Sequence, residues 1–294
     1  MEIKKIEDPS AVKNKKEFDP VRAIMIIVAF MIIVWIIWLG VSKLSSGVGK
    51  DLAKSGFNLA SSSIPIKIEK NAPPKDSFYR NYIKIFRAIE ASSESYPEKE
   101  YIEVRVVQTN LSAVDITGWK LVNSKGDSAI LGKSSSLPVG GKVNTTTVTK
   151  VSGNDALIIS TGHSPVGISF KLNSCTGYFE QFQDFVPPLP MVCPGSSFDK
   201  GFQSLDQDCR IFATQIPQCT TNTKPFPAGT SAGCKSFIIS NISYNGCTAS
   251  NKDKPDFYKP EWRIFLNRDT ELWAPKDTIT LLDEKGNLVD MYSY

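Results

Sequence analysis

The 294-residue sequence predicts an all-β exterior, a sandwich or barrel of short strands, interrupted by a cysteine-rich loop and preceded by one transmembrane helix. Three observations carry that expectation. Short alternating or β-branched runs recur along the chain, separated by Gly, Ser, Asn or Pro, with no helix-length periodic segment between them. One uncharged apolar run occupies residues 23–41. The 6 cysteines all fall between positions 175 and 247, where the alternation stops.

The run "AIMIIVAFMIIVWIIWLGV" rises about 1.5 Å per residue as a helix and so reaches across a hydrocarbon core of about 30 Å. Trp35 and Trp38 lie near its far end, where amphipathic rings favour the interface. The alternative is a cleaved signal peptide, but its apolar region is normally shorter and no A-x-A-like site follows, although "GVSKLSSG" supplies small residues. Lys4, Lys5, Lys13, Lys15, Lys16 and Arg22 precede the span, whereas Lys43, Lys50 and Lys54 follow it. The positive-inside rule therefore assigns residues 1–22 to the cytoplasm, 23–41 to the membrane and everything beyond to the exterior of a single-pass protein. Residues 42–77, rich in Ser, Lys, Gly and Pro, read as a stalk below a folded part at 78–294.

The folded part opens with "YIKIFRAIEA", which suits an amphipathic helix or a strand; the strand is preferred because Ile83, Ile85 and Ile89 share one parity with Lys84 opposite. "EYIEVRVVQ" places Ile102, Val104 and Val106 on one face and Tyr101, Glu103 and Arg105 on the other, a half-buried strand. "DITGWKLVNSKGD" reads as turn, strand, turn: Asp115 and Gly118 suit the first and fourth positions of a type I turn, and Trp119 and Leu121 point to the same side. "VNTTTVTKV", "DALIIST" and "VGISFKL" follow as further short strands.

From about 173 to 261 the pattern changes. This stretch holds "PPLP", a Thr-rich run from Cys219 to Thr223, many Gly and one strand-like segment, "KSFIISNIS". So long a loop inside a compact domain needs a tie. Cys175, Cys193, Cys209, Cys219, Cys234 and Cys247 supply one, since an even count in an oxidising compartment implies disulfides worth about 2–4 kcal/mol each. Proximity in sequence favours Cys209 with Cys219 and Cys234 with Cys247. Zinc is the weaker reading, because C-x-x-C spacing is absent and His163 is the lone histidine. Strand pattern returns with "EWRIFLN" and the closing hairpin "DTITLLDEKGNLVDMYSY". There Ile279 and Leu281 share a face, Leu288 and Asp290 share a parity, and Gly286 supplies the left-handed position of a G1-bulge turn. The hairpin is thus expected to supply strands withheld during the insertion.

In order and in motif, "EYIEV", "DITGWKL", "LPVGG" with "ALIIST", and the closing hairpin resemble a lamin-tail domain, an immunoglobulin-like β-sandwich of nuclear lamins and many bacterial surface and secreted proteins. The resemblance covers about 78–172 and 261–294, with "TGW" and D-x-x-G-x-x-V-D its most specific parts. It implies a fold rather than a chemistry: Trp119 in the core, Gly286 in a turn, no shared catalytic residues, and partners that differ between members. The cysteine-bearing insertion departs from the minimal pattern.

The residues that carry chemistry elsewhere are sparse. His163, in "STGHSPVG", lacks a G-x-S-x-G elbow and reads as a solvent-facing loop residue rather than a catalytic base. Asp199, Asp206, Asp208 and Glu261 have no sequence spacing that pairs them for glycoside hydrolysis, and "DQD" at 206–208 lacks the rest of an EF-hand. "PPLP" suits either a polyproline II ligand or a stiffened disulfide-closed loop. Tyr178, Phe179, Phe182 and Phe185 crowd "GYFEQFQDF". They read either as a carbohydrate or protein contact patch or, more plainly, as packing of the insertion onto the sandwich.

Charge adds an exclusion. The chain carries 34 Lys and Arg against 30 Asp and Glu, and without residues 1–22 the two signs nearly balance, so no basic stripe for nucleic acid is expected. The expectation is a membrane-anchored, extracytoplasmic, non-enzymatic structural, adhesive or protein-interaction module without cofactor or metal, whose partner is a protein or surface polymer. An anchored hydrolase and a subunit of a pilus or secretion assembly are the alternatives.

Overall fold

The computed structural model describes residues 31–33, 35, 73–89, 96–199 and 201–294. Met31–Ile33 and Trp35 are helical; the rest of the expected span at 23–41, the tail at 1–22 and the stalk as far as 72 lie outside the described residues. Among the described residues no helix is long and apolar enough to cross a membrane.

The unit Lys70–Tyr294 is built mostly of β-sheet, with few helices and three disulfides. Its strands are β1 (Ile83–Ile89), β2 (Tyr101–Val106), β3 (Val114–Asp115), β4 (Lys120–Val122), β5 (Ser128–Ile130), β6 (Ser134–Ser135), β7 (Lys150–Val151), β8 (Ala156–Ser160) and β9 (Ser169–Asn173), followed after the insertion by β10 (Tyr258–Phe265), β11 (Thr278–Leu282) and β12 (Leu288–Ser293). A six-stranded sheet runs β1-β2-β8-β10-β9-β6, a four-stranded sheet β12-β11-β4-β5, and β3 pairs with β7.

The two larger sheets share one core. Ile83, Ile102, Val104, Leu157, Ile159, Trp262 and Ile264 enter it from the first sheet, Leu121, Ile279, Leu281 and Val289 from the second, and Trp119 lies among them at 1% exposure. Trp119 satisfies its indole by donating to Glu284 Oε2 at 3.2 Å, in the turn of the closing hairpin. Burial of each such large side chain is worth about 1.5–3 kcal/mol, so the alternation in sequence translates directly into cohesion between sheets.

The route of the chain explains the interruption. β10 lies between β8 and β9, parallel to β8 with Glu261 opposite Ala156 and antiparallel to β9. A parallel neighbour needs a long crossover, and the insertion between β9 and β10 lies within it. The closing hairpin then adds two strands beside β4, with Thr280 opposite Val122 and Leu281 opposite Leu121. Gly286 sits at φ +81° in its turn, and a register shift between Leu281 and Leu282 leaves Val289 fully buried. Asp290 fastens the hairpin to β1, accepting from Ile85 N at 2.8 Å and pairing with Lys84 Nζ at 3.2 Å. Residues 75–77, at the end of the expected stalk, already pair with this hairpin: Ser77 N donates to Leu288 O at 2.8 Å.

Several expectations are corrected. β2 is covered on both faces near its start, because Glu103 on the outer face is paired by Arg87 at 2.7 Å and by Arg105 at 2.6 Å. The expected strand at 143–151 shrinks to β7; Thr149 turns its hydroxyl to Gly132 O and Ser134 Oγ, side-chain bonds that compete with a ladder.

The all-β expectation fails in the insertion, which is not a bare loop but carries α1 (Gln207–Gln215), α2 (Ala232–Asn241) and α3 (Tyr244–Asn251). "KSFIISNIS", expected as a strand, lies largely in α2. Its buried residues Cys234, Phe237 and Ile238 follow i, i+3, i+4 spacing, and Ser231 caps the first turn by accepting from Cys234 N at 3.2 Å. Asp206 and Ser243 cap α1 and α3 in the same way.

The expected disulfide pairing fails for the same reason. The bonds are Cys175–Cys247, Cys193–Cys219 and Cys209–Cys234, and no cysteine is free. Cys209 in the first turn of α1 meets Cys234 in the first turn of α2, while Cys219, beyond the end of α1, is taken by Cys193. Cys234 and Cys247 each open a different helix, with the length of α2 between them.

Candidate functional site

The insertion packs on the second face of the six-stranded sheet. Phe170 and Leu172 of β9 and Phe265 of β10 point away from the first core into another, made with Phe179, Phe185, Tyr244, Phe257 and the bonds Cys175–Cys247 and Cys193–Cys219. Phe170 meets Phe179 and Phe185 edge-on at 5.8 and 6.0 Å. Of the four aromatics singled out in the sequence, Tyr178, Phe179 and Phe185 are thus buried, and Phe182 alone is exposed, at 62%.

Tyr178, Phe179 and Phe182 form the floor of a groove of about 610 Å³ whose opposite wall is the loop at 138–144. The two sides come from distant parts of the chain and are fixed to each other. Tyr244 on α3 packs against Phe179, tilted by 36° with centroids 4.3 Å apart, and its hydroxyl donates to Pro138 O at 2.7 Å while accepting from Asn173 Nδ2 at 3.2 Å. Burial pushes the Tyr244 hydroxyl up to about 12, so it remains a donor throughout the physiological range. Asn245 grips Gly140 at both backbone groups, at 3.3 and 3.4 Å. Asn144 closes the loop on itself, accepting from Val139 N at 2.6 Å and donating to Val139 O at 3.2 Å, with Gly141 at φ +72° completing the turn.

The floor is held as firmly. It rises on the two-turn 3-10 segment Thr176–Gln181 just after β9. Gln181 bonds both backbone groups of Thr221 at 2.7 and 3.0 Å, pinning the strand of chain after Cys219 to the groove's end. Gly177 has no substitute here: a Cβ on it would stand 2.5 Å from Cys219 Sγ and 2.7 Å from Pro190 O. Burial pushes the Tyr178 hydroxyl to about 12, with the Asp199 carboxylate adding to the effect.

The other sequence candidates separate in space or turn inward. His163 pairs with Asp269 at 2.9 Å, but both side chains are exposed, and the adjacent Ser164 hydroxyl is taken up by Ile168 O at 2.6 Å. Glu261 is engaged by Arg263 Nε at 2.8 Å, and Asp206 by the α1 cap. Asp199 interacts with Ser250 and Lys254, and burial holds its carboxyl above the usual carboxylate range. Among the described residues no group of three His, Cys, Asp or Glu side chains is placed to hold a metal.

"PPLP" is pinned to the sheet from one side: the buried Arg263 donates to Pro187 O and, at 3.2 Å, to Pro188 O, and Leu189 is 2% exposed, while Pro188 and Pro190 face outward. A second groove of about 760 Å³ lies between α1 and residues 227–231, but its Asp206 and Ser231 side chains serve as helix caps. Sequence reasoning located the aromatic floor and missed the facing loop, Tyr244, Gln183 and Thr221. Nothing local marks these, because they meet across as many as about a hundred residues of chain. Compared with known proteins, the chain matches no family model and no curated sequence.

Proposed function

We propose that this protein is a membrane-anchored, extracytoplasmic, non-enzymatic binding module: an immunoglobulin-like, lamin-tail-like sandwich whose disulfide-bonded insertion forms one side of a partner-contact groove. The observation that carries the reading is the groove itself, a preorganised cleft with one exposed ring, walled on one side by the β-framework and on the other by the insertion. Support for the compartment comes from three bridges with no thiol left over, the usage of an oxidising environment. Support for the sandwich comes from two sheets sharing one core, with Trp119 inside and Gly286 at the final turn. Support for the anchor is the uncharged run at 23–41 and the basic residues before it.

The test is in-cell photocrosslinking of the full-length chain from positions 182 and 143, on the two sides of the groove, with position 211 on α1 as control. Adducts formed from 182 and 143 but not from 211 are expected. No adduct from either groove position overturns the reading. So does turnover of a polysaccharide or nucleic acid by the full-length chain that a single change such as Asp199→Asn or Glu261→Gln abolishes.

A further inference from the structure

Resting on the groove as the contact surface, we infer that its ligand is a neutral glycan chain. The groove is two-natured. Its apolar part presents Phe182, Val139 at 39% exposure and Val143 at 101%. Its polar rim presents the Gln183 amide, the Thr221 hydroxyl and the Lys142 ammonium, none of which bonds through its side chain to another described residue.

A sugar ring has the same two natures. Its C–H face is apolar and lies flat on an aromatic ring, while its edge carries hydroxyls that both donate and accept. An amide and a hydroxyl meet such an edge in both senses, which carboxylate or ammonium side chains alone do not. The volume of about 610 Å³ falls within the roughly 300–1,000 Å³ usual for small-ligand sites, enough for the sugars of a short chain segment.

The charge of the lining selects neutrality. Among the described residues no acidic side chain lines the groove and Lys142 is its single cation, whereas polyanions are held by several cations together. The ring count argues against a proline-rich peptide, which docks across a series of exposed aromatics. Here Tyr178, Phe179 and Tyr244 are at most 8% exposed, leaving Phe182 as the one open platform. The walls are also fixed before binding, by the Tyr244–Pro138 and Gln181–Thr221 bonds, so a weakly attractive surface of this kind loses little to ordering.

The experiment presents the full-length chain, in detergent, to immobilised neutral oligosaccharides (gluco-, manno- and chito-series), to uronic-acid oligosaccharides and to a proline-rich peptide. Binding to a neutral series, insensitive to added salt, is expected. Phe182→Ala should weaken it about tenfold, Phe182→Trp should restore it, and Gln183→Ala should weaken it without the restoration. Because Phe182 is exposed, these variants should melt with the parent chain. Binding confined to the acidic series or the peptide, or neutral binding that Phe182→Ala leaves intact, overturns the inference. If no neutral glycan binds while crosslinks form from 182 and 143, the ligand class is wrong and the groove reading stands; if neither occurs, both fall.

Discussion

Buried carboxylates organise the loops of this protein, and they divide into two kinds with opposite responses to acid. Burial alone pushes the Asp277 and Asp283 carboxyls up, but hydrogen bonds outweigh it: Ser124, Ala274 and Thr278 donate to Asp277, and Asn287, Ser77 and Lys285 to Asp283, so both lie below the usual carboxylate range. A folded-state value below the unfolded one means that stability is present above the ordinary value of about 3.8 and is lost as pH falls through the folded value. Glu100 behaves in reverse. It is fully buried, and burial holds its carboxyl above the ordinary value of 4.5 even though Leu272 N and Trp273 N donate to it at 2.8 and 3.1 Å. Its protonation therefore favours the folded state, and its contribution falls as pH rises past 4.5 toward the folded value.

Two outcomes follow at this scale. Denaturant midpoints should drop as pH falls below about 3.8, and Asp277→Asn should flatten that drop while lowering the neutral-pH midpoint. Glu100→Ala should cost about 2 kcal/mol or more at neutral pH, because it strands two buried N–H donors; an equilibrium denaturation curve indistinguishable from the parent would refute the pinning role.

Among elements, the helices of the insertion owe their existence to caps and bridges more than to amphipathic length. Each is 8 to 10 residues long, too short to be stable alone, and each begins at a capping Asp or Ser. Ser231→Ala should cost about 1 kcal/mol, read as a lowered melting temperature. Among the bridges, Cys175–Cys247 closes a separation of 72 residues against 25 for Cys209–Cys234. Replacing the longer pair by Ala should therefore destabilise roughly 1 kcal/mol more than replacing the shorter, in addition to losing contacts of the second core. Equal losses, or peptide mapping without reductant that returns Cys209 joined to Cys219, would count against this arrangement.

For the whole molecule, the decisive feature is that the chain leaves the sheet after β9 and re-enters it in the middle. Truncation before Asp277 removes Ile279, Leu281 and Val289 from the core and uncovers the edge of β4. The truncated chain should be aggregated or protease-sensitive, and a soluble, protease-resistant product would show that the hairpin is dispensable.

Legibility followed the range of the interactions. β1, β2, β4 and the closing hairpin were readable because residues of opposite character alternate within a few positions, β8 because "ALIIS" is a short apolar, β-branched run buried on both faces, and Gly286 because its turn demands a left-handed position. α2 was misread because Ile238 and Ile239 mimic a β-branched run, while its true signals, the Ser231 cap and the spacing of Cys234, Phe237 and Ile238, are weak in isolation. Of the groove, the aromatic floor was visible as a local density, yet which ring would stay open was not. Phe182 is exposed and Phe185 buried only because β9 and β10 bring Phe170 and Phe265 beneath the latter.

By itself, then, the sequence determined the strand alternation, the cysteine complement, the uncharged run at 23–41 and the place where the β-pattern is interrupted, since each is written in neighbouring residues. The tertiary structure alone decided the disulfide partners, the insertion of β10 between β8 and β9, and the pairing of the 138–144 loop with Tyr244. Those depend on contacts between residues far apart in the chain, whose geometry is set by helix lengths and sheet order rather than by any local preference.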